Sequence, residues 1–172
     1  MFEKYMICTR DFGNVSSSGQ VTGFQVKIRI NYYRGCYLSM IDTLRLVVDG
    51  VEYPTDQMTF SLPEHGPNIE SRNKTYTFAE LAKATTVRWF FGDAATLTVK
   101  KPGGLADGMH TVQLGLFIRN SYLPRFDPEG LYMFFAGAGA GGSWHGANGA
   151  TGYGVPPDPL PLVATKKISL VQ

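Results

Sequence analysis

The chain has 172 residues, 44% of them apolar and 13% aromatic, and its 16 basic and 14 acidic side chains leave a formal net charge of +2. That length and apolar share suit one domain with its own core and argue against a disordered chain. The charge is nearly balanced and the basic residues are scattered, in pairs such as Lys100-Lys101 and Lys166-Lys167. This gives no electrostatic basis for binding nucleic acid or an anionic membrane.

The chain opens MFEKYMICTRDF, with an early acid at Glu3 and no apolar run suited to a signal peptide. No stretch approaches the ~18 apolar residues of a membrane span. A cytoplasmic protein is therefore expected. The two cysteines, Cys8 and Cys36, are expected to stay reduced and to pack as small apolar residues. Over residues 23–33, Phe24, Val26, Ile28, Ile30 and Tyr32 alternate with Gln25, Lys27, Arg29, Asn31 and Tyr33, the period-two pattern of a strand with one wet face. Leu44, Leu46 and Val48 alternate again and run into Asp49-Gly50, a pair that favours a tight hairpin because both residues tolerate positive φ.

Shorter strands are predicted over residues 57–62, 86–91, 95–100, 131–135 and 166–171, and a long one over 108–119. Thr77 followed by Glu80 reads as a capping box opening a helix of about two turns over 77–84. Eight or nine short strands with turn residues between them predict an all-β fold. The expected architecture is a β-sandwich or jelly roll of antiparallel sheets with one short helix, spanning residues 1–172 as a single domain.

Residues 136–154, AGAGAGGSWHGANGATGYG, form a glycine-rich segment that suits neither a regular strand nor a helix. A loop this long in a compact domain is usually functional. Gly137, Gly139 and Gly142 formally match G-x-G-x-x-G, but a dinucleotide site needs a helix next and more parallel strands after it. Ser143-Trp144-His145-Gly146 follows instead, so a nucleotide site is not expected. Trp144 has two open readings: an anchor folded onto the chain's own surface, or a hot-spot residue reaching a partner or ligand. A catalytic role for His145 is a third.

The histidines, His65, His110 and His145, lack metal-ligand spacing. No G-x-S-x-G elbow is present. Asp49, Asp93 and Asp107 sit at predicted turns, where acids are usually structural. No catalytic residue is therefore assigned to this chain. Two strand ends combine aromatics with a guanidinium: Tyr32-Tyr33-Arg34-Gly35 and Arg119-Asn120-Ser121-Tyr122. Such clusters suit a protein interface or a sugar-stacking surface. Tyr32, Tyr33, Arg34, Tyr122, Trp144 and His145 are thus the candidates for a partner contact or the edge of an active site.

Several blocks in order carry a likeness to a known family. They are Gly23–Arg29 leading to Tyr32-Tyr33-Arg34-Gly35 and Leu38-Ser39-Met40-Ile41, then Val48-Asp49-Gly50, Thr77-Phe78 with Glu80-Leu81, and Trp89 with Phe91-Gly92. Lys101-Pro102-Gly103-Gly104-Leu105 and the strand from Gly108 and His110 to Arg119, followed by Ser121-Tyr122, complete the series. Together, over roughly residues 1–125, the chain resembles the β subunit of bacterial C-glycoside deglycosidases. That resemblance implies a small all-β subunit paired with a larger TIM-barrel α subunit that holds a divalent metal, commonly manganese. It also implies cleavage of the C–C bond between sugar and aromatic aglycone in a 3-oxo-C-glycoside. Metal and base would belong to the α subunit.

Two other expectations stand beside it. A carbohydrate-binding or structural sandwich with no partner would bind sugar alone, through Tyr32, Tyr33 or Trp144. A stand-alone jelly-roll enzyme would hold a metal through His110 or His145.

Overall fold

The computed structural model describes residues 3–32, 34–64, 74–118 and 162–171. Among these lie eleven strands: β1 Gly13–Ser17, β2 Gln20–Ile28, β3 Cys36–Tyr37, β4 Ile41–Val48, β5 Val51–Tyr53, β6 Met58–Ser61, β7 Thr75–Thr77, β8 Arg88–Trp89, β9 Ala95–Lys100, β10 Gly108–Ile118 and β11 Ala164–Leu170. They form a five-stranded sheet in the order β1-β2-β9-β6-β7, a four-stranded sheet in the order β11-β10-β4-β5, and a two-stranded ribbon of β3 and β8. The pairings are antiparallel throughout. The chain changes sheet between β2 and β4, between β5 and β6, and between β9 and β10. This is the expected all-β sandwich.

The alternating side chains build the core as the period-two pattern requires. Phe24, Val26 and Ile28 of β2 are fully buried, as are Leu97 and Val99 of β9. From the other sheet come Leu46, Val112, Leu114 and Leu116, and all belong to one hydrophobic cluster. The Phe24 and Tyr53 rings meet edge to face between the sheets at 5.1 Å, a favoured arrangement for aromatic quadrupoles. Both cysteines are buried free thiols. Among the described residues no helix is long and apolar enough to cross a membrane.

Asp49-Gly50 makes the expected turn, with φ of 52° and 80° between the paired residues Val48 and Val51. Ser18-Gly19 makes a second two-residue turn of the same hand, with φ of 51° and 78°. Two positive φ angles match the right-handed twist of the flanking strands. The predicted helix shortens to Phe78–Leu81, but its capping box is present. The Thr77 hydroxyl accepts from the Glu80 N–H at 3.3 Å, and the Glu80 carboxylate accepts from the Thr77 N–H at 2.8 Å. Replacing Thr77 with alanine removes half of that reciprocal cap and is expected to cost about 1 kcal/mol of stability. A urea melt read by Trp fluorescence should show the lower midpoint with an unchanged slope.

Two expected strands are corrected and one helix is added. The strand predicted over 23–33 begins earlier, at Gln20, and ends at Ile28. Its partner β9 starts at Ala95, opposite Ile28, so Ile30 and Tyr32 continue the burial pattern without a ladder on that side. The strand predicted over 86–91 contracts to Arg88–Trp89, because only those two residues face β3. A short helix at Glu3–Met6 was not foreseen from the sequence; the Lys166 ammonium donates to carbonyls at its C-terminal end, those of Ile7 at 3.0 Å and Lys4 at 3.5 Å. The strand predicted over 131–135, like the glycine-rich segment 136–154, lies outside the described residues.

Candidate partner interface

The β3–β8 ribbon sorts its side chains by alternation. Cys36 pairs with Trp89, and both point into the core at 3% and 0% exposure. Tyr37 pairs with Arg88, and both face outward, with Tyr37 43% exposed. The ribbon therefore roots a surface cluster directly on the largest fully buried side chain. The Phe60 and Trp89 rings meet edge to face at 5.2 Å, and the Trp89 indole N–H donates to the Asp93 carbonyl at 2.9 Å.

Outside, the Arg88 guanidinium lies 5.9 Å from the Tyr37 ring centroid and 5.5 Å from that of Phe90. Its Nη2 also donates to the Arg34 carbonyl at 2.9 Å. Cation–π attraction from two rings and a hydrogen bond fix a side chain that is otherwise long and mobile. Phe91 is 54% exposed beside them. The Asp93 N–H closes a turn onto the Phe90 carbonyl at 3.2 Å, and Arg29 Nε donates to the Gly92 carbonyl at 3.2 Å. Gly35 has a φ of 70°, and a Cβ there would run into the Trp89 carbonyl. Only glycine lets the segment carrying Arg34 lie this close to β8.

The result is a patch in which Tyr37, Arg88 and Phe90 hold one another before any partner arrives, with Arg34 tied to it through its carbonyl and the exposed Phe91 next in the chain. Ordered aromatics and guanidinium groups are the side chains that dominate protein interfaces. The patch is not a nucleophilic site. Burial pushes the Cys36 thiol up to about 12, and the nearby Arg88 charge only partly opposes this. Its sulfur stays protonated and inert near neutral pH.

Of the residues singled out from sequence, Arg34 is exposed at the patch. Tyr32 is instead 6% exposed and part of the core. Its alternation with Ile28 and Ile30 outweighs its position near a strand end. Tyr33, Tyr122, Trp144 and His145 lie outside the described residues, as does His65. His110, a candidate metal ligand in one reading, bridges Asp49 and the Ala106 carbonyl. Among the described residues no three His, Cys, Asp or Glu side chains are grouped to hold a metal ion. Sequence reasoning missed Tyr37, Arg88, Phe90 and Phe91. The usable signal was Arg88-Trp89-Phe90-Phe91, where a core-sized aromatic alternates with a cation.

Comparison with known proteins gives a consistent result. The family described as C-glycoside deglycosidase beta subunit matches residues 2–122, which include the whole patch. The chain is 35% identical over 130 residues to a C-glycoside deglycosidase beta subunit from Eubacterium cellulosolvens, covering 75% of this chain and 82% of that one. It is 33% identical over 104 residues to a 3'-dehydrocarminate deglycosidase beta subunit from Microbacterium sp, covering 60% and 70%. A C-glycoside deglycosidase beta subunit from Arthrobacter globiformis is 27% identical over 77 residues, covering 45% and 52%.

Proposed function

The chain belongs to the C-glycoside deglycosidase beta subunit family, and from that membership we propose that it is the small subunit of a lyase cleaving the sugar–aglycone C–C bond of 3-oxo-C-glycosides. Its partner would be a TIM-barrel α subunit bearing a divalent metal, commonly manganese. The complex would work in the cytoplasm. The observation that carries the subunit reading is the preformed aromatic–guanidinium patch on the β3–β8 ribbon. It displays interface chemistry on a rigid base.

The chemistry asks for such a division of labour. A C-glycoside has no leaving oxygen to protonate, so acid-assisted hydrolysis has no entry point. A 3-ketone makes the C2 proton acidic. A base removes that proton, the electron pair flows into the C1–C2 bond, and the aromatic carbon leaves C1 and takes up a proton. The step is an elimination. A metal near the ketone would supply electrophilic stabilisation, and the residues described here offer no set that fits one. In this reading the metal belongs to the α subunit. One relative carries a 3'-dehydro substrate in its name, which supports a 3-oxo substrate here.

Co-expression tests the reading. With a sugar-isomerase-like barrel protein from the same source, the chain is expected to co-purify as a hetero-oligomer that releases aglycone from a 3-oxo-C-glycoside. The chain alone is expected to release none. If a stable complex forms and is inactive on every 3-oxo-C-glycoside tried, the substrate assignment falls. If no complex forms while the isolated chain binds sugar by calorimetry, a carbohydrate-binding module replaces the subunit reading.

A further inference from the structure

Among the described residues the imidazole of His110 is buried, at 7% exposure. Its Nδ1 lies 2.6 Å from Asp49 Oδ2, and its Nε2 lies 2.8 Å from the Ala106 carbonyl. Both neighbours are acceptors, so both ring nitrogens must carry protons to satisfy them. The other Asp49 oxygen accepts from the Thr111 N–H at 2.8 Å. One imidazolium thus ties three segments: the β4–β5 turn, the start of β10, and residues 101–107 between β9 and β10.

The tie continues beyond the ring. Next to Ala106, Leu105 is held at both backbone groups by the Asn14 amide, each at 2.8 Å. Gly104 turns at a φ of 64°, where a Cβ would strike the Asn14 side chain. Residues 101–107 are therefore held to β2 by the Lys101 and Gly103 N–H groups, to β1 through Leu105, and to the β4–β5 turn through Ala106 and His110. Only the last of these ties depends on a proton that exchanges near neutral pH.

We propose that His110 is a pH-sensitive latch: as an imidazolium it fastens Ala106 to the Asp49 turn, and loss of one ring proton releases that end of the loop, next to Leu105. A neutral ring has one donor for two acceptors. It keeps either Asp49 or Ala106, and the negatively charged carboxylate is the stronger acceptor. The Ala106 contact is then the one that opens.

The groups facing the ring fix the direction of the effect. They are the Asp49 carboxylate from the turn, the Ala106 carbonyl from the loop, the Phe12 ring at 5.8 Å, and Ile168 opposite it on β11. The Tyr53 phenol, pushed up by burial and then by the Asp49 charge, stays neutral in this range. Burial alone would lower the imidazole, but the Asp49 hydrogen bond, the Ala106 carbonyl and the Asp49 charge outweigh it and hold the ring above its ordinary 6.5. A raised imidazole contributes stability that is complete below 6.5 and is lost as pH rises through the folded-state value. For Asp49, partial desolvation is outweighed by bonds from His110 and Thr111 and by the His110 charge, so it titrates below 3.8. Its contribution holds above 3.8 and is lost only as pH falls through that lower value.

Hydrogen exchange on the full chain between pH 5.5 and 8.5, corrected for intrinsic rates, is the test, with the ring followed by imidazole NMR. Protection of the Leu105 N–H, next to the freed Ala106, is expected to fall about tenfold as the ring loses its proton, the scale of one charge-assisted bond, while the Lys101 and Gly103 N–H groups stay protected by β2. Protection of β2 and β9 should stay level. In His110→Gln the Leu105 N–H should be weakly protected at every pH, and in Asp49→Asn the midpoint should move down. Should His110→Gln fail to fold, the wild-type titration alone decides. A ring already neutral at pH 5.5, or Leu105 protection that stays constant while the ring titrates, overturns the latch.

Discussion

Arg88→Glu is expected to weaken association with the proposed α subunit by at least about 30-fold, roughly 2 kcal/mol, while the isolated chain still folds. Arg88 is exposed, so the substitution disturbs no core packing. It removes the guanidinium set between Tyr37 and Phe90 and the bond to the Arg34 carbonyl. Those losses cost the folded chain about 1 kcal/mol. At an interface the same change does more: it inverts a charge at the centre of the patch and unseats two rings whose positions depend on it. Arg88→Lys keeps the charge but loses the planar stack, and should give an intermediate loss of about fivefold. Met109→Lys, at a residue 66% exposed at the start of β10, serves as the comparison and should leave affinity unchanged. Surface plasmon resonance on the purified α subunit, with thermal melts of each variant, reads both quantities. Affinity within threefold of wild type for a folded Arg88→Glu chain would move the interface elsewhere on the sandwich.

How much of this was legible in the sequence depends on the kind of signal. Alternation reports burial reliably: Phe24, Val26 and Ile28, and later Val112, Leu114 and Leu116, are buried as their spacing requires. Alternation does not report pairing, which depends on where a neighbouring strand begins. Ile30 and Tyr32 are buried like strand residues and lie beyond the end of β2. Local chemistry reads well too, since Asp49-Gly50 and the Thr77–Glu80 box need only a few adjacent residues. The polar edge strand Gly13–Ser17 was invisible because its burial is only partial and its sequence has no apolar alternation.

The candidate site was half legible for the same reason. Arg34 and Gly35 lie beside the β3–β8 ribbon. The cation that organises it comes from Arg88, 54 residues after Arg34. The His110–Asp49 bridge spans 61 residues, and only the register of the strands brings its two ends together. Asp49 read as a turn acid, and it is one; its carboxylate serves a buried imidazole as well.

Trp89→Ala is expected to be the most damaging single change in the chain, costing about 3–5 kcal/mol. That is a large part of the 5–15 kcal/mol typical of a whole domain. The indole is fully buried, packs edge to face on Phe60 and holds the Asp93 carbonyl. Its neighbour across the ribbon, Cys36, is too small to fill the space. The more informative variant is Trp89→Phe. It keeps most of the apolar contact with Phe60 but deletes the N–H that donates to the Asp93 carbonyl at the end of the turn from Phe90. Its stability cost should be smaller, about 1–3 kcal/mol, leaving the chain folded at 25 °C. Phe90 and Phe91 would nonetheless lose the anchor that sets their turn. If the patch binds the α subunit because it is preorganised, Trp89→Phe should weaken the complex by about tenfold at a temperature well below its own melt, although Trp89 has no exposed atom to offer a partner. If affinity instead follows the folded fraction alone, the turn contributes nothing to recognition, and the binding energy lies in Arg88 and Tyr37 on the ribbon itself.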